Sequence, residues 1–240
     1  MAEIFLALEY LHERNIVYRD IKAENIMLDN EGHIRLIDFG LTKVGVTSEP
    51  SSFTRTLCGT NTYMAPEVIR KEPYGPSADW WSFGVLAYDM MVGQPPFKGN
   101  DKQELYRHIL HSPISLPQRL ALPMSTRKFL RNLLTKSSEK RLGHPNLGGS
   151  YAIREHVFFE KLCWLDIYLK KVKPPLKLHL TIKSSTDLSH FDNLPLHDDI
   201  ENGNLMVENY NDENSTNDND DHAAASDDLF FNFSYVDDNF

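Results

Sequence analysis

Cysteine is scarce in this chain of 240 residues: Cys58 and Cys163 are the only two. That excludes a disulfide framework and a cysteine-built metal site, and reduced thiols predict a cytoplasmic or nuclear location. No run of about 18 uncharged apolar residues occurs, so no helical membrane span is predicted. The opening stretch, Met1 to His12, is interrupted by Glu3 and Glu9 and does not read as a signal peptide. Basic residues are missing from Asp187 to Phe240, which holds fifteen Asp and Glu and no Lys or Arg. The remainder carries 25 basic and 19 acidic residues, a balance of +6, so the net charge of −9 belongs to the tail. No basic stripe accompanies that +6, and nucleic acid is not an expected partner. The tail, with runs such as Asn217-Asp218-Asn219-Asp220-Asp221, has the composition of a disordered segment over about residues 193–228. The first 186 residues are long enough to bury a core, and a monomer is expected.

What is present is concentrated near the start. Residues 2–14 read as an amphipathic helix, with Ile4, Leu8 and Leu11 on one face. It leads into Tyr18-Arg19-Asp20-Ile21-Lys22-Ala23-Glu24-Asn25, and Asp38-Phe39-Gly40 follows. Between them, two short apolar runs flank Asp29-Asn30-Glu31-Gly32, a hairpin signal that brings Asp38 beside Asn25. Asn25 and Asp38 are hard oxygen ligands suited to magnesium, and Lys22 is a compact positive charge beside the acid Asp20. Together these groups can hold a nucleoside triphosphate, its metal ions and an attacking hydroxyl. Acids and amides also crowd ordinary turns, but two such motifs in this order leave that explanation little room.

Residues 41–64 form a polar, Ser- and Thr-rich segment without periodicity, ending at Ala65-Pro66-Glu67; a loop of that length is expected to be functional or mobile. Asp79-Trp80-Trp81-Ser82-Phe83-Gly84 opens an apolar helix to about Met91, broken by Gln94-Pro95-Pro96-Phe97. Further helices are predicted at about 101–111, 125–135 and 151–161. The expected fold is mainly α with a small β-hairpin, followed by the acidic tail.

The Asp-x4-Asn spacing, the Asp-Phe-Gly turn and the Ala-Pro-Glu segment resemble the catalytic loop, metal-binding turn and activation segment of eukaryotic protein kinases. Tyr18 in place of the usual His, Thr56-Leu57-Cys58-Gly59-Thr60 and Asp79-Trp80-Trp81 narrow the resemblance to the AGC group. Lys173-Pro174-Pro175-Leu176, Asp187-Leu188-Ser189-His190-Phe191-Asp192 and Phe230-Phe231-Asn232-Phe233-Ser234-Tyr235 are most similar to the tail of the ribosomal protein S-six kinase family. The resemblance implies the large lobe of the kinase domain over 1–163 and the AGC extension over 164–240, with a hydrophobic motif at 230–235 built on Phe230, Phe233 and Tyr235.

The resemblance also implies roles. Asp20 becomes the catalytic base, Lys22 the phosphate contact, and Asn25 and Asp38 the Mg²⁺ ligands, with ATP as phosphate donor. Thr56 and Ser234 become phosphosites for upstream activating kinases, and Arg19 and Lys43 the cations that receive the Thr56 phosphate. Thr60 is expected to bond Asp20 and Lys22, Asp79 to hold the catalytic-loop backbone, and Arg141 to pair with Glu67. Glu24 and Asp89 match acids that grip arginines, so proteins with Arg-x-Arg-x-x-Ser/Thr-like sites are the implied substrates.

Three departures from the family stand out. No Gly-rich loop, strand lysine or helix glutamate precedes the catalytic motif, so the small lobe is expected to be missing and the chain by itself inactive. A non-catalytic interaction or scaffold protein is the alternative. A metal-dependent hydrolase or nucleotide-binding module is a third reading, but it leaves the Ala-Pro-Glu segment and the aromatic tail motif unexplained. Asn61-Thr62 stands where the family usually has an acid before the tyrosine, and no Ser-Pro or Thr-Pro lies between Asp192 and Phe230.

Overall fold

Apolar residues three and four apart place Ile4, Phe5, Leu8 and Leu11 on one stripe, and in the computed structural model that stripe is the buried face of α1 (Ala2–Glu13). The structure describes residues 1–47 and 49–174. The tail expectations, including Ser234, Phe230, Phe233 and Tyr235, therefore lie outside the described residues. α3 (Ser77–Val92) is apolar on every side, and twelve consecutive residues from Ser77 to Tyr88 are buried. A helix with no polar face must sit at the centre, and the other elements pack around it. It ends at Gly93, whose φ of 78° is the left-handed cap that glycine adopts most readily.

α1 reaches α3 through Phe5, stacked on Trp80 with centroids 5.6 Å apart. α5 (Met124–Leu133) reaches it through Phe129, edge-on to Phe83 at 6.2 Å. α4 (Lys102–His111) starts at a reciprocal cap. Asp101 accepts the Glu104 amide at 2.8 Å, while the Glu104 carboxylate accepts the amide of Asn100 at 2.8 Å. α2 (Pro66–Ile69) is a single turn carrying Glu67 into the core.

The predicted hairpin forms as β2 (Ile26–Leu28) and β3 (Ile34–Leu36), antiparallel with Ile26 opposite Leu36. A second ribbon was not predicted: β1 (Ile16–Val17) pairs with β4 (Lys43–Val44). The 41–64 segment is therefore more ordered than its lack of periodicity implied. Its start is paired, Thr54 bridges Tyr74 in antiparallel fashion, and short turns form at Pro50–Ser52 and Asn61–Tyr63. The predicted 151–161 helix is corrected as well. It splits into α6 (Gly149–Arg154) and a 3₁₀ turn at Val157–Phe159. His156 is extended and starts a 3₁₀ turn that lays both Phe158 and Phe159 against Phe129, at 4.4 and 5.3 Å. In α7 (Trp164–Tyr168), the Trp164 ring lies 4.9 Å from Phe5.

His156 caps that 3₁₀ turn, its Nδ1 accepting the Phe158 amide at 3.1 Å, while its buried Nε2 has no partner among the described residues. Burial, and then the charge of Lys128, push its pKa below the ordinary histidine value. The fold thus favours the neutral ring. Stability is complete above the unfolded pKa of about 6.5 and falls as pH drops through it towards the lower folded value. The melting temperature is expected to decline between pH 7 and pH 5, and to decline less steeply in His156→Gln. Equal slopes in the two proteins would rule out a contribution from this ring.

Candidate active site

The site forms where the loop after β1 meets the N-terminal turn of α3. Asp79 is fully buried, and its carboxylate accepts the backbone amides of Tyr18 and Arg19, each at 2.8 Å. The loop turns at Arg19, which holds a left-handed φ of 70°, a conformation that costs a non-glycine residue about 1 kcal/mol or more. Two charge-assisted bonds from a buried acid offset that cost.

The next residue, Asp20, is 5% exposed, and both of its oxygens are engaged. Oδ1 accepts the Thr60 hydroxyl at 2.8 Å and the Thr60 amide at 3.2 Å. Oδ2 receives Lys22 Nζ and Asn25 Nδ2, each at 2.8 Å. Burial opposes ionisation, but the bonds from Lys22, Thr60 and Asn25 outweigh it and hold the carboxyl below the usual carboxylate range. Lys22 is correspondingly raised, first by its bond to Asp20. The expected bond between Thr60 and Lys22 is not formed among the described residues, because the ammonium is drawn to the opposite oxygen of Asp20 from the one Thr60 holds.

Asn25 also donates to the Asp20 carbonyl at 2.9 Å, so its amide nitrogen is used twice and its oxygen is the atom left for a cation. The backbone ties this residue to the Asp38-Phe39-Gly40 turn, since the Ile37 amide donates to the Asn25 carbonyl at 3.0 Å. One residue on, Asp38 is exposed, has a φ of 59°, and accepts the Gly40 amide at 3.1 Å. No cluster of three His, Cys, Asp or Glu able to hold a metal exists among the described residues. The Asp38 carboxylate and the Asn25 amide oxygen nonetheless suit magnesium, which keeps several waters and binds substrate phosphates.

Thr56 is exposed, and its carbonyl accepts the Tyr74 hydroxyl at 2.7 Å. Neither Arg19 nor Lys43 bonds it. Arg19 donates Nε to the Leu41 carbonyl at 2.5 Å and Nη2 to that of Thr42 at 3.3 Å, while its buried Nη1 has no partner among the described residues. Lys43 is exposed on β4. Glu24 is exposed on the turn before β2, and Asp89 lies on the last turns of α3. Tyr63 lies between them: burial raises its phenol, and the carboxylates of Asp89 and Glu24 raise it further. Beneath the segment, Arg141 and Glu67 form a fork-to-fork pair at 2.6 and 2.8 Å, both side chains essentially inaccessible.

One residue at this site went unread in the sequence. His12 lies four residues after Leu8, on the buried stripe of α1, and its Nε2 is 2.8 Å from Asp79. A polar side chain on an apolar face was the available signal.

The protein kinase domain family model matches residues 1–159. Serine/threonine-protein kinase Sgk2 of Homo sapiens is 44% identical over 191 residues, covering 80% of this chain and 50% of that protein. The RAC family serine/threonine-protein kinase homolog of Dictyostelium discoideum is 44% identical over 191 residues, covering 80% of this chain and 41% of its own length. Protein kinase C of Drosophila melanogaster is 42% identical over 191 residues, covering 80% of this chain and 25% of its own length. The chain thus spans half or less of these curated relatives. With the family model covering most of its described residues and the catalytic-loop geometry in place, the chain belongs to the protein kinase family.

Proposed function

We propose that this chain is the large lobe of an AGC-type protein serine/threonine kinase, most similar to the ribosomal protein S-six kinases, which transfers the γ-phosphoryl of ATP to Ser or Thr near arginines. The arrangement of Asp20 carries the reading: a buried, ionised carboxylate held between Thr60 on one side and Lys22 and Asn25 on the other. Phosphoryl transfer through a loose transition state needs positioning and charge neutralisation above all. Asp20 orients the substrate hydroxyl and takes its proton as the bond to phosphorus forms. Lys22 places positive charge beside the moving phosphoryl group. Asn25 and Asp38 would hold Mg²⁺, which supplies charge neutralisation to the phosphates. The unpartnered Nη1 of Arg19 supports Thr56 as a phosphosite, because a buried cationic donor is suited to an anion.

The acids beside Tyr63 support a preference for basic substrates. The residues that would cover the ATP phosphates from above are not among these 240, and turnover is not expected of them by themselves. The test joins the chain to the small lobe of Sgk2 and measures phosphotransfer to Arg-x-Arg-x-x-Ser peptides and to their alanine counterparts. Glu24→Ala with Asp89→Ala is expected to raise KM for the arginine peptide about tenfold and leave the alanine peptide unchanged. Equal KM values for the two peptides with the unmodified protein would reject the basic-substrate reading.

A further inference from the structure

We propose that Asn61 is a positioning residue, and that its bond to Tyr106 on α4 sets how firmly Thr60 holds the Asp20 carboxylate. Asn61 Oδ1 accepts the Tyr106 hydroxyl at 2.8 Å, from a residue 45 positions further along. The residue just before it, Thr60, gives both its hydroxyl and its amide to Asp20 Oδ1. The same dipeptide, Asn61-Thr62, is where the chain departs from the usual sequence of the kinases it resembles.

Little else in the backbone fixes Thr60. Before it, residues 57–59 make no backbone-to-backbone hydrogen bond among the described residues, and Gly59 turns the chain at a φ of 103°, a conformation that glycine enters and leaves at little cost. After it, the 3₁₀ turn Asn61–Tyr63 has one firm bond, from the Tyr63 amide to the Thr60 carbonyl at 2.9 Å. The other, from the Met64 amide to the Asn61 carbonyl, is stretched to 3.4 Å, beyond the usual range for N–H···O. The Ser82 hydroxyl anchors the far end of the turn at the Tyr63 carbonyl, at 2.8 Å. The Asn61 side chain is therefore the tether nearest to Thr60 on the side away from Asp20.

Its donor stands on a firm element. Tyr106 is half-buried, and α4 is capped at its start by Asp101 and Glu104 and sunk into the core at Ile109. The hydroxyl also touches Met64 Sδ at 3.4 Å, but a thioether is a weak acceptor, so the one proton goes to the amide oxygen. The link reaches the chemistry of Asp20. Lys22 and Asn25 hold one of its oxygens, and Thr60 alone holds the other. A Thr60 that drifts leaves a carboxylate that is less well oriented and easier to protonate.

Variants of the 240-residue chain test this. Tyr106→Phe keeps the ring and removes the donor, Asn61→Ala removes the acceptor, and Asn61→Asp keeps an oxygen within reach of the hydroxyl. Amide exchange is read residue by residue by NMR, and the Asp20 carboxyl is titrated through its carbon shift. Tyr106→Phe and Asn61→Ala are each expected to speed exchange of the Thr60 amide about threefold to tenfold and to raise the Asp20 midpoint. The paired amides of Thr54 and Tyr74 are expected to change little, and Asn61→Asp to keep Thr60 protected. Combining the two disruptive changes is expected to add nothing to either alone. Unchanged exchange at Thr60 in both single variants overturns the proposal. So do single effects that simply add in the double variant, or a rise shared equally by Thr54 and Tyr74.

The consequence for turnover rests on the kinase reading. In the chain joined to the small lobe of Sgk2, kcat is expected to fall about threefold to tenfold in Tyr106→Phe while KM for ATP holds. Absence of turnover in every version, with the exchange pattern as expected, would reject the kinase reading and leave the positioning role standing.

Discussion

Asp20→Asn is expected to slow phosphotransfer by about 10²–10⁴-fold in the chain joined to a small lobe, the range typical of losing a positioned acid or base. The two side chains are nearly the same size, so the change is in hydrogen-bonding sense. In the native site, Oδ1 faces the hydroxyl and amide of Thr60, and Oδ2 faces Lys22 and Asn25. All four groups can donate. An asparagine amide nitrogen must face one of these pairs, setting N–H against N–H. Unpaired buried donors cost about 1–3 kcal/mol, so a modest fall in melting temperature accompanies the loss of rate. The two effects separate by their dependence on substrate: KM for ATP is expected to hold, because in the proposed mechanism Asp20 addresses the attacking hydroxyl. Retention of kcat in a folded Asp20→Asn protein would end the assignment of this residue as base.

Arg141→Met is expected to destabilise the lobe by about 3–5 kcal/mol, the usual result of leaving one partner of a buried ion pair behind. Beyond its two bonds to Glu67, Arg141 donates to the carbonyls of Thr135 at 3.0 Å, Ser77 at 2.8 Å and Lys136 at 3.4 Å. One guanidinium thus ties the turn of α2, the start of α3 and the segment after α5 together. The pair also shapes its surroundings. Lys136 Nζ lies 3.8 Å above the Phe97 ring, and burial, followed by the charge of Arg141, lowers its pKa to about 8. In urea, Arg141→Met is expected to shift the unfolding midpoint strongly downward. Glu67→Met combined with Arg141→Met is expected to recover much of the loss, since no uncompensated charge remains. A double variant no more stable than the single one would show that the carbonyl contacts of Arg141, rather than its pairing, carry the energy.

Much of the site was legible because its chemistry is local. Asp20, Lys22, Glu24 and Asn25 fall within one short turn, and their spacing restricts what they can hold. The contacts of Asp79 with the loop and of Glu67 with Arg141 join distant residues, and only the family resemblance anticipated them. What remained hidden was decided by packing. Two-residue strands such as Ile16–Val17 and Lys43–Val44 are too short for any period to show. The break at His156 contains neither glycine nor proline, and the two phenylalanines after it pack on Phe129, a contact too distant in sequence for a local signal to announce. The absence of the Thr60–Lys22 bond reflects competition for a single carboxylate, which no spacing rule encodes. His12 had a position on the helix but no visible partner, since that partner lies 67 residues further along.

The bridge between Thr54 and Tyr74 has a kinetic meaning. Its two backbone bonds, at 3.0 and 2.9 Å, lock the residue two before Thr56, and the Tyr74 hydroxyl locks the Thr56 carbonyl. An enzyme that modifies Thr56 must draw several flanking residues into its own cleft as an extended strand, and these bonds hold the segment against its own lobe. If Thr56 is the phosphosite proposed above, its modification proceeds only from the fraction of molecules in which the bridge has opened. The rate at which such an enzyme would work on this chain would then be set by an opening equilibrium as well as by its own affinity, and a phosphate, once attached, would hinder the return.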